Sequence, residues 1–389
     1  MKRILLTLSL LALVATTGMA QTYEEWLAQN NADFGEFREL MLSGVANDSV
    51  EYEAYRTLFL EELNAFKDEM EAKWGEFKQN TEKEWVEYLE GGDTKLEVDF
   101  ETGDVTIEVI VENPEDVNVT QTELPEKVAS AIKSQGTQLG FVPEKLPNPP
   151  VVEAPVLQNQ LPKEENETDE EFAEKVVEQT IETKTISGKD GVERTVLRVN
   201  FTLAPNHIQT RAEKISDLVY EFSFAYKLDP SMVFAVIHTE SYFNPVASSP
   251  ANAFGLMQLV PTSGGRDAYR KVNKKDGIPT KDFLFNPRNN INLGCAYFEI
   301  LFTSYFKDVQ SDLSRSYMAI SAYNTGAGNV YKAYDPNNRS KRAALSEIAK
   351  RTDKENYDFL VENLPYEETR SYLQKVVSRA ELYKGWAEE

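Results

Sequence analysis

A glutamate closes an apolar helical run in the stretch KLDPSMVFAVIHTES, and its position bears on the chemistry it can do. Asp229 stands where a helix N-cap belongs, and Pro230 falls at the first helical position, where a missing N–H costs nothing. Met232, Val233, Val236 and Ile237 then recur at spacings of three and four, the pattern of a buried helical stripe. Glu240 follows Val236 by four and Ile237 by three, so its carboxyl shares the core-facing side. A carboxyl there loses hydration of its charged form, and its pKa should rise from about 4.3 toward neutrality. Such a group arrives protonated and can donate to a leaving oxygen. From periodicity alone, a structural ion pair with a neighbouring cation stays open as the alternative.

Few other residue types compete for that role. The chain has two histidines, His207 and His238, and one cysteine, Cys295, which leaves little material for a zinc site or a Ser/His/Asp triad and none for an internal disulfide. No metal or organic cofactor is implied. A retaining glycosidase needs a second carboxylate roughly 5 to 5.5 Å from the first, and an inverting one a base roughly 6.5 to 9.5 Å away. Near Glu240 in sequence there is none.

Three later stretches carry the remaining candidates. VASSPANAFGLMQLVPTSG holds Ser248, Ser249, Gly255, Met257 and Gln258 in a loop rich in small residues. DLSRSYMAISAYNTGAGNVYKAY sets Tyr323 and Asn324 at the end of an apolar helix that Gly326 and Gly328 should terminate. LPYEETRSYLQKV opens a helix with Glu368, Arg370 and Tyr372. On the residues alone, Ser249 reads equally as a loop-capping hydroxyl, and Gln258 and Met257 as loop packing. Glu368 reads as half of an ion pair with Arg370, and Tyr242, Phe243, Tyr323 and Tyr372 as core aromatics or sugar-stacking rings.

The elements that must position these groups follow from the rest of the chain. At 389 residues and 41% hydrophobic it can bury a core and divide into two or so domains. The opening MKRILLTLSLLALVATTGMAQ has two cations, an apolar run and small residues, the layout of a signal peptide cut after Ala20. No cysteine lies near that cut, so the expectation is an exported, periplasmic, soluble protein with no lipidated cysteine and no transmembrane span in the mature chain. Residues 1–203 hold 18 Lys and Arg against 42 Asp and Glu, a net of −24; from Ala204 on the count is 23 against 22, a net of +1. An acidic first half argues against nucleic acid and anionic membrane surfaces as partners.

Residues 22–90 read as helical, with Phe59, Leu63, Phe66, Met70, Trp74 and Phe77 forming one apolar face. KLEVDFETGDVTIEVIVE alternates on both sides of Thr102, Gly103 and Asp104, a hairpin signal, and RTVLRVNFTL could add a strand. The Pro-rich, then acidic, stretch near 142–172 reads as an insertion or linker. The fold expected is α+β: a signal peptide over 1–20, an acidic α+β domain over 21–203, and a mainly helical domain over 204–389.

In the second half the sequence resembles the lytic murein transglycosylases, whose catalytic domain is related to goose-type lysozyme. Four blocks carry the resemblance in the family's order: ES followed by FNP at 240–245, GLMQ at 255–258, AYNTGAGNV at 322–330 and YEETRSYL at 366–373. The first half, in KWGEFKQNTEKEWVEYL, VDFETGDVTIEVIVE and NFTLAPNHIQTRAEK, resembles the N-terminal domain of the family's membrane-bound C subgroup. The resemblance implies cleavage of the MurNAc–GlcNAc bond of peptidoglycan glycan strands with formation of a 1,6-anhydro-MurNAc end, in cell-wall turnover. It implies Glu240 as the single catalytic acid and base, with Ser249, Gln258, Tyr323, Asn324 and Glu368 supporting it or binding substrate. Tyr323 would orient the carboxyl or the substrate's acetamido group, and Ser249 would hydrogen-bond the carboxylate. A lysozyme-like hydrolase and a catalytically silent peptidoglycan-binding protein are the competing readings; protein partners are not legible. The missing lipidation cysteine and the Pro-rich stretch both depart from the membrane-bound subgroup.

Overall fold

The computed structural model describes residues 43–111, 117–134, 155–337 and 340–386, so the expected signal peptide and the first part of the Pro-rich stretch, up to residue 154, lie outside it. A two-residue strand, β1 (Val45–Ala46), leads into α1 (Ser49–Trp74), which Asp48 starts by accepting hydrogen bonds from the Val50 and Glu51 amides. The helix stops because Gly75 adopts φ 80°, and a Cβ there would stand 2.4 Å from the Ser187 carbonyl oxygen. Phe77 therefore lies beyond the helix and instead packs its ring on Phe66 and Tyr88.

A five-stranded antiparallel sheet follows, built from β2 (Glu84–Leu89), β3 (Thr94–Asp99), β4 (Asp104–Val111), β5 (Glu182–Ser187) and β6 (Glu193–Thr202) in the order β2-β3-β4-β6-β5. The β3–β4 hairpin turns at Gly103, with φ 84°, and β6 joins β4 in the register Val105 to Phe201. The stretch WVEYL, expected to be helical, is the edge strand β2. Trp85 faces one side of the sheet, and Val86 and Tyr88 join the core on the other, a two-sided burial that a period-2 element achieves and a helix at that edge could not.

Helices α2 (Val117–Ile132) and α3 (Asp169–Thr180) cover one face, bringing Leu124, Val128, Phe172 and Val176 against Trp85, Ile107, Val109 and Leu197. Within the acidic part of the Pro-rich stretch, Thr168 and Glu171 close a reciprocal capping box that starts α3. The C-terminal half of α1 covers the other face, where Met70 and Trp74 meet Val86, Tyr88, Ile110 and Val196. Lys95 is enclosed on that face, 2.8 Å from Glu97 and 3.0 Å from Glu108, with its ammonium 4.8 Å from the Trp74 ring centre. Lys184 also meets Glu108.

The remainder is helical: α4 (His207–Glu213), α5 (Ser216–Tyr226), α6 (Pro230–Ser241), α7 (Arg266–Asn273), α8 (Lys281–Phe285), α9 (Pro287–Ile300), α10 (Asp312–Thr325), α11 (Ala327–Tyr334), α12 (Lys341–Ile348), α13 (Asp353–Asn363) and α14 (Glu367–Ala380). A short strand, β7 (Ile278–Pro279), pairs antiparallel with β1. Gly326 alone separates α10 from α11, and Gly328, expected to end the helix, lies inside the second one. Helix α6 is the centre of this half: Ser231 through His238 are all buried, so it is enclosed on every side. The core beneath the sheet continues into Tyr242, Val246, Phe254, Leu259, Leu284 and Phe285.

Candidate active site

Helix α6 starts as its sequence dictates. The Asp229 carboxylate accepts from the Ser231 amide at 2.9 Å, Pro230 occupies the first turn, and the apolar run follows. Its end is abrupt. Tyr242 and Phe243 both take left-handed backbone angles, φ 49° and 63°, a conformation costing bulky side chains on the order of 1 kcal/mol each. The chain reverses at once, leaving Glu240 on the last turn of a buried helix.

Four effects act on the Glu240 carboxyl. Burial is the largest and pushes its pKa up to about 8, although the side chain keeps partial access to solvent. Tyr372, buried on α14, donates its hydroxyl to Glu240 Oε1 at 2.6 Å and pulls the other way by favouring the charged form. The nearby negative charges of Glu368 and Glu82 add to the rise. The negative end of the α6 dipole, at which the carboxyl sits, works in the same direction. Among the described residues no cation forms an ion pair with Glu240. The carboxyl is therefore held in its acid form near neutral pH.

The loop carrying GLMQ is fixed against this helix by side chains from three elements. Ser241 Oγ donates to the Leu256 carbonyl at 2.8 Å, Asn290 of α9 accepts from the Met257 amide at 2.8 Å, and Tyr323 of α10 donates to the Met257 carbonyl at 2.7 Å. Gly255, at φ 77°, admits this close approach, since a Cβ would stand 2.3 Å from both Asn290 Nδ2 and the Leu284 carbonyl oxygen.

The expected site residues thus divide. Tyr323 lies within electrostatic reach of Glu240, but its hydroxyl is committed to the loop carbonyl; the hydroxyl that orients the carboxyl belongs to Tyr372. Ser249 Oγ accepts from the Ala253 amide at 3.2 Å and closes its own turn, so the expected bond to the carboxylate is replaced by loop capping. Gln258, buried with φ 44°, donates its Nε2 to the Ala247 and Gly255 carbonyls, while its Oε1 has no partner among the described residues. Asn324 accepts from Thr369 Oγ1 at 2.7 Å, tying α10 to the start of α14. Glu368 is exposed in the first turn of α14, and Arg370 donates to the Leu364 carbonyl at 2.5 Å rather than pairing with it. In the sequence, Tyr372 reads only as a core or stacking ring. Glu82 carries no signal in the sequence, because it is far from Glu240 along the chain and only the fold unites them.

Residues 217–346 match the family model described as Transglycosylase SLT domain, and residues 54–214 match that of the membrane-bound lytic murein transglycosylase C N-terminal domain. The chain is 38% identical over 204 residues to a protein of Salmonella arizonae named membrane-bound lytic murein transglycosylase C, covering 52% of this chain and 55% of the relative. A protein of the same name from Photorhabdus laumondii is 40% identical over 178 residues, covering 46% and 49%. The chain thus spans about half the length of the curated relatives it matches. Among solved structures, the 70 kDa soluble lytic transglycosylase of Escherichia coli aligns at 25% identity and a TM-score of 0.35, over 46% of this chain and 26% of that one.

Proposed function

We propose that this chain is a lytic murein transglycosylase, a reading that the matches over residues 217–346 and 54–214 support, and that it cleaves the β-1,4 MurNAc–GlcNAc bond of peptidoglycan and leaves 1,6-anhydro-MurNAc ends. The observation that carries this reading is the Glu240 carboxyl, protonated near neutral pH on the last turn of α6 with one hydroxyl partner. It donates its proton to the glycosidic oxygen as that C–O bond breaks and the MurNAc ring becomes oxocarbenium-like. The substrate's 2-acetamido group supports the anomeric carbon. Glu240, now ionised and steadied by Tyr372, takes the proton of the sugar's own 6-hydroxyl as that oxygen bonds to the anomeric carbon. No water enters, and the carboxyl ends in the state in which it began.

Glu368 and Glu82 keep negative potential at the carboxyl, which favours its acid form before the reaction and the positively charged sugar during it. Gln258 Oε1 is a hydrogen-bond acceptor enclosed without a partner among the described residues, and contact with a sugar N–H or hydroxyl requires its loop to shift. The domain division expected from the sequence, with residues 204–389 as the catalytic part, belongs to the same proposal, as does export to the cell envelope and a role in wall turnover. No helix among the described residues is long and apolar enough to cross a membrane.

The test is the mass of the sugar ends released from purified peptidoglycan. Anhydro ends are lighter than reducing ends by one water. Reducing ends alone would replace this reading with hydrolysis, and intact glycan would leave a binding protein.

A further inference from the structure

The helix end that carries Glu240 is tied to the sheet through Arg211 and Tyr242. Arg211 of α4 is buried, and its guanidinium donates in four directions: to the Tyr242 carbonyl at 3.0 Å, the Phe100 carbonyl at 3.0 Å, Gln160 Oε1 at 2.6 Å and His207 Nδ1 at 3.1 Å. It also lies 4.4 Å from the centre of the Phe100 ring. A second connection reaches the same residue through its side chain. The Tyr242 hydroxyl donates to Glu101 Oε1 at 2.5 Å and accepts from Arg379 Nη2 at 2.9 Å, while Lys83 pairs with Glu101. Phe100 and Glu101 belong to the turn between β3 and β4, so both connections start from the sheet.

We propose that Arg211 and Tyr242 are positioning residues for Glu240, forming a clamp through which the β3–β4 turn fixes the helix end that bears the acid. The proposal rests on the glycan-cleavage reading above for its kinetic consequence.

The chemistry of Arg211 favours a geometric role over a stabilising one. All four of its partners are neutral, and burial without a counter-charge lowers its pKa to about 9. A guanidinium in that situation is costly to bury, and replacement by well-packed apolar groups is often neutral or stabilising. What a planar fork of donors supplies is direction, since each N–H fixes the line to one acceptor. The acceptor it fixes at the catalytic end is the carbonyl of Tyr242, two residues after Glu240 and itself in a strained left-handed conformation. Because Arg211 has only donors, His207 Nδ1 must accept, which sets the neutral Nε2–H tautomer; burial, with the neighbouring Arg211 charge, lowers the His207 pKa to about 4 in agreement. Released from the clamp, Tyr242 relaxes, the last turn of α6 follows it, and the carboxyl leaves its contact with Tyr372.

Tyr242→Phe and Arg211→Lys in the full chain test the clamp, with kcat and KM measured on purified peptidoglycan. A second readout is the titration of the Glu240 carboxyl followed by 13C NMR on glutamate-labelled protein and assigned against Glu240→Gln. The groups facing that carboxyl are Tyr372 and Glu368 of α14, Tyr323 of α10 and Glu82 of the segment before β2, and none of them is altered. Both variants should lose about tenfold or more in kcat with KM held within about twofold. The Glu240 midpoint should fall below its wild-type value as the displaced carboxyl regains water. A purely structural role would lower the melting temperature and leave kcat and the midpoint of the folded enzyme unchanged; that result in Tyr242→Phe overturns the proposal. Should Arg211→Lys fail to fold, Tyr242→Phe together with Glu101→Gln decides the same question. The NMR titration needs no turnover, so an inactive wild-type protein would remove the glycan-cleavage reading while the clamp was still judged on its own midpoint.

Discussion

On the sheet face beneath α1, the Glu108 side chain is 4% exposed, and burial pushes its pKa up. Lys95 and Lys184 outweigh that push and hold the carboxyl below its ordinary value. At the end of α6, Glu240 meets the same desolvation with one tyrosine hydroxyl and no cation in ion-pairing reach among the described residues, and its pKa stands near 8. Seclusion is common to both carboxylates; the partner decides the outcome. A charge network that satisfies its members gives the sheet a structural ion cluster, whereas a single buried acid left without a counter-charge is a proton donor.

Removing the Glu240 acid function should give the largest effect of any change that sharpens this contrast. Glu240→Gln keeps the side chain's shape, and muropeptide release should fall by about 10²- to 10⁴-fold while circular dichroism still reports a folded protein. Near-wild-type release would end the assignment of this residue. Next in size is breaking the satisfied cluster. Lys95→Met leaves the buried Glu108 and the half-buried Glu97 without their shared cation and should cost about 3 to 5 kcal/mol in urea unfolding, with the pH profile of the still-folded enzyme unmoved. A loss below 1 kcal/mol would mean that Lys184 and the other cations suffice.

Tyr372→Phe is the smaller perturbation at the site itself. Because the hydroxyl favours the ionised carboxyl, its loss should lower kcat by about tenfold and shift the alkaline limit of activity upward from about 8. A downward shift would reverse the role given to Tyr372. The remaining effect is the stability linkage. The folded pKa of Glu240 lies above its ordinary value of 4.5, so the stability it contributes is complete below that value and disappears as pH rises through about 8. Glu108 behaves oppositely, contributing above its unfolded pKa and losing that contribution as pH falls through its lowered folded one. The melting temperature of Glu240→Gln relative to wild type should therefore climb between pH 5 and pH 8; a flat difference would contradict the raised acid.

Much of this arrangement is legible in the chain because it is local. Asp229 and Pro230 announce α6, and the alternation around Gly103 announces the β3–β4 hairpin, whereas the stretch near 142–172 reads as a linker and the structure starts α3 within it, at the Thr168–Glu171 capping box. The edge strand β2 was not legible, since the aromatic spacing through Trp74 and Phe77 continues a helical rhythm that Gly75 interrupts. Which tyrosine reaches the acid was not legible either. Tyr323 and Tyr372 sit on different helices, and only the packing of α14 against α6 brings the second within 2.6 Å of the carboxyl. Arg211 carries no local signal, because all its partners outside α4 come from other segments of the chain.

The pairing of β1 with β7 joins residues more than two hundred positions apart, and α1 runs from that pairing to the sheet as a rod about 39 Å long at 1.5 Å per residue. Synthesis supplies one end of the rod early and its seat on Ile278 late. Until that seat is made, Tyr52, Tyr55 and Phe59 are uncovered apolar surface on an otherwise acidic segment. The nascent chain therefore spends most of its assembly with an open flank, and closure of this flank marks the moment at which the two halves acquire a common frame.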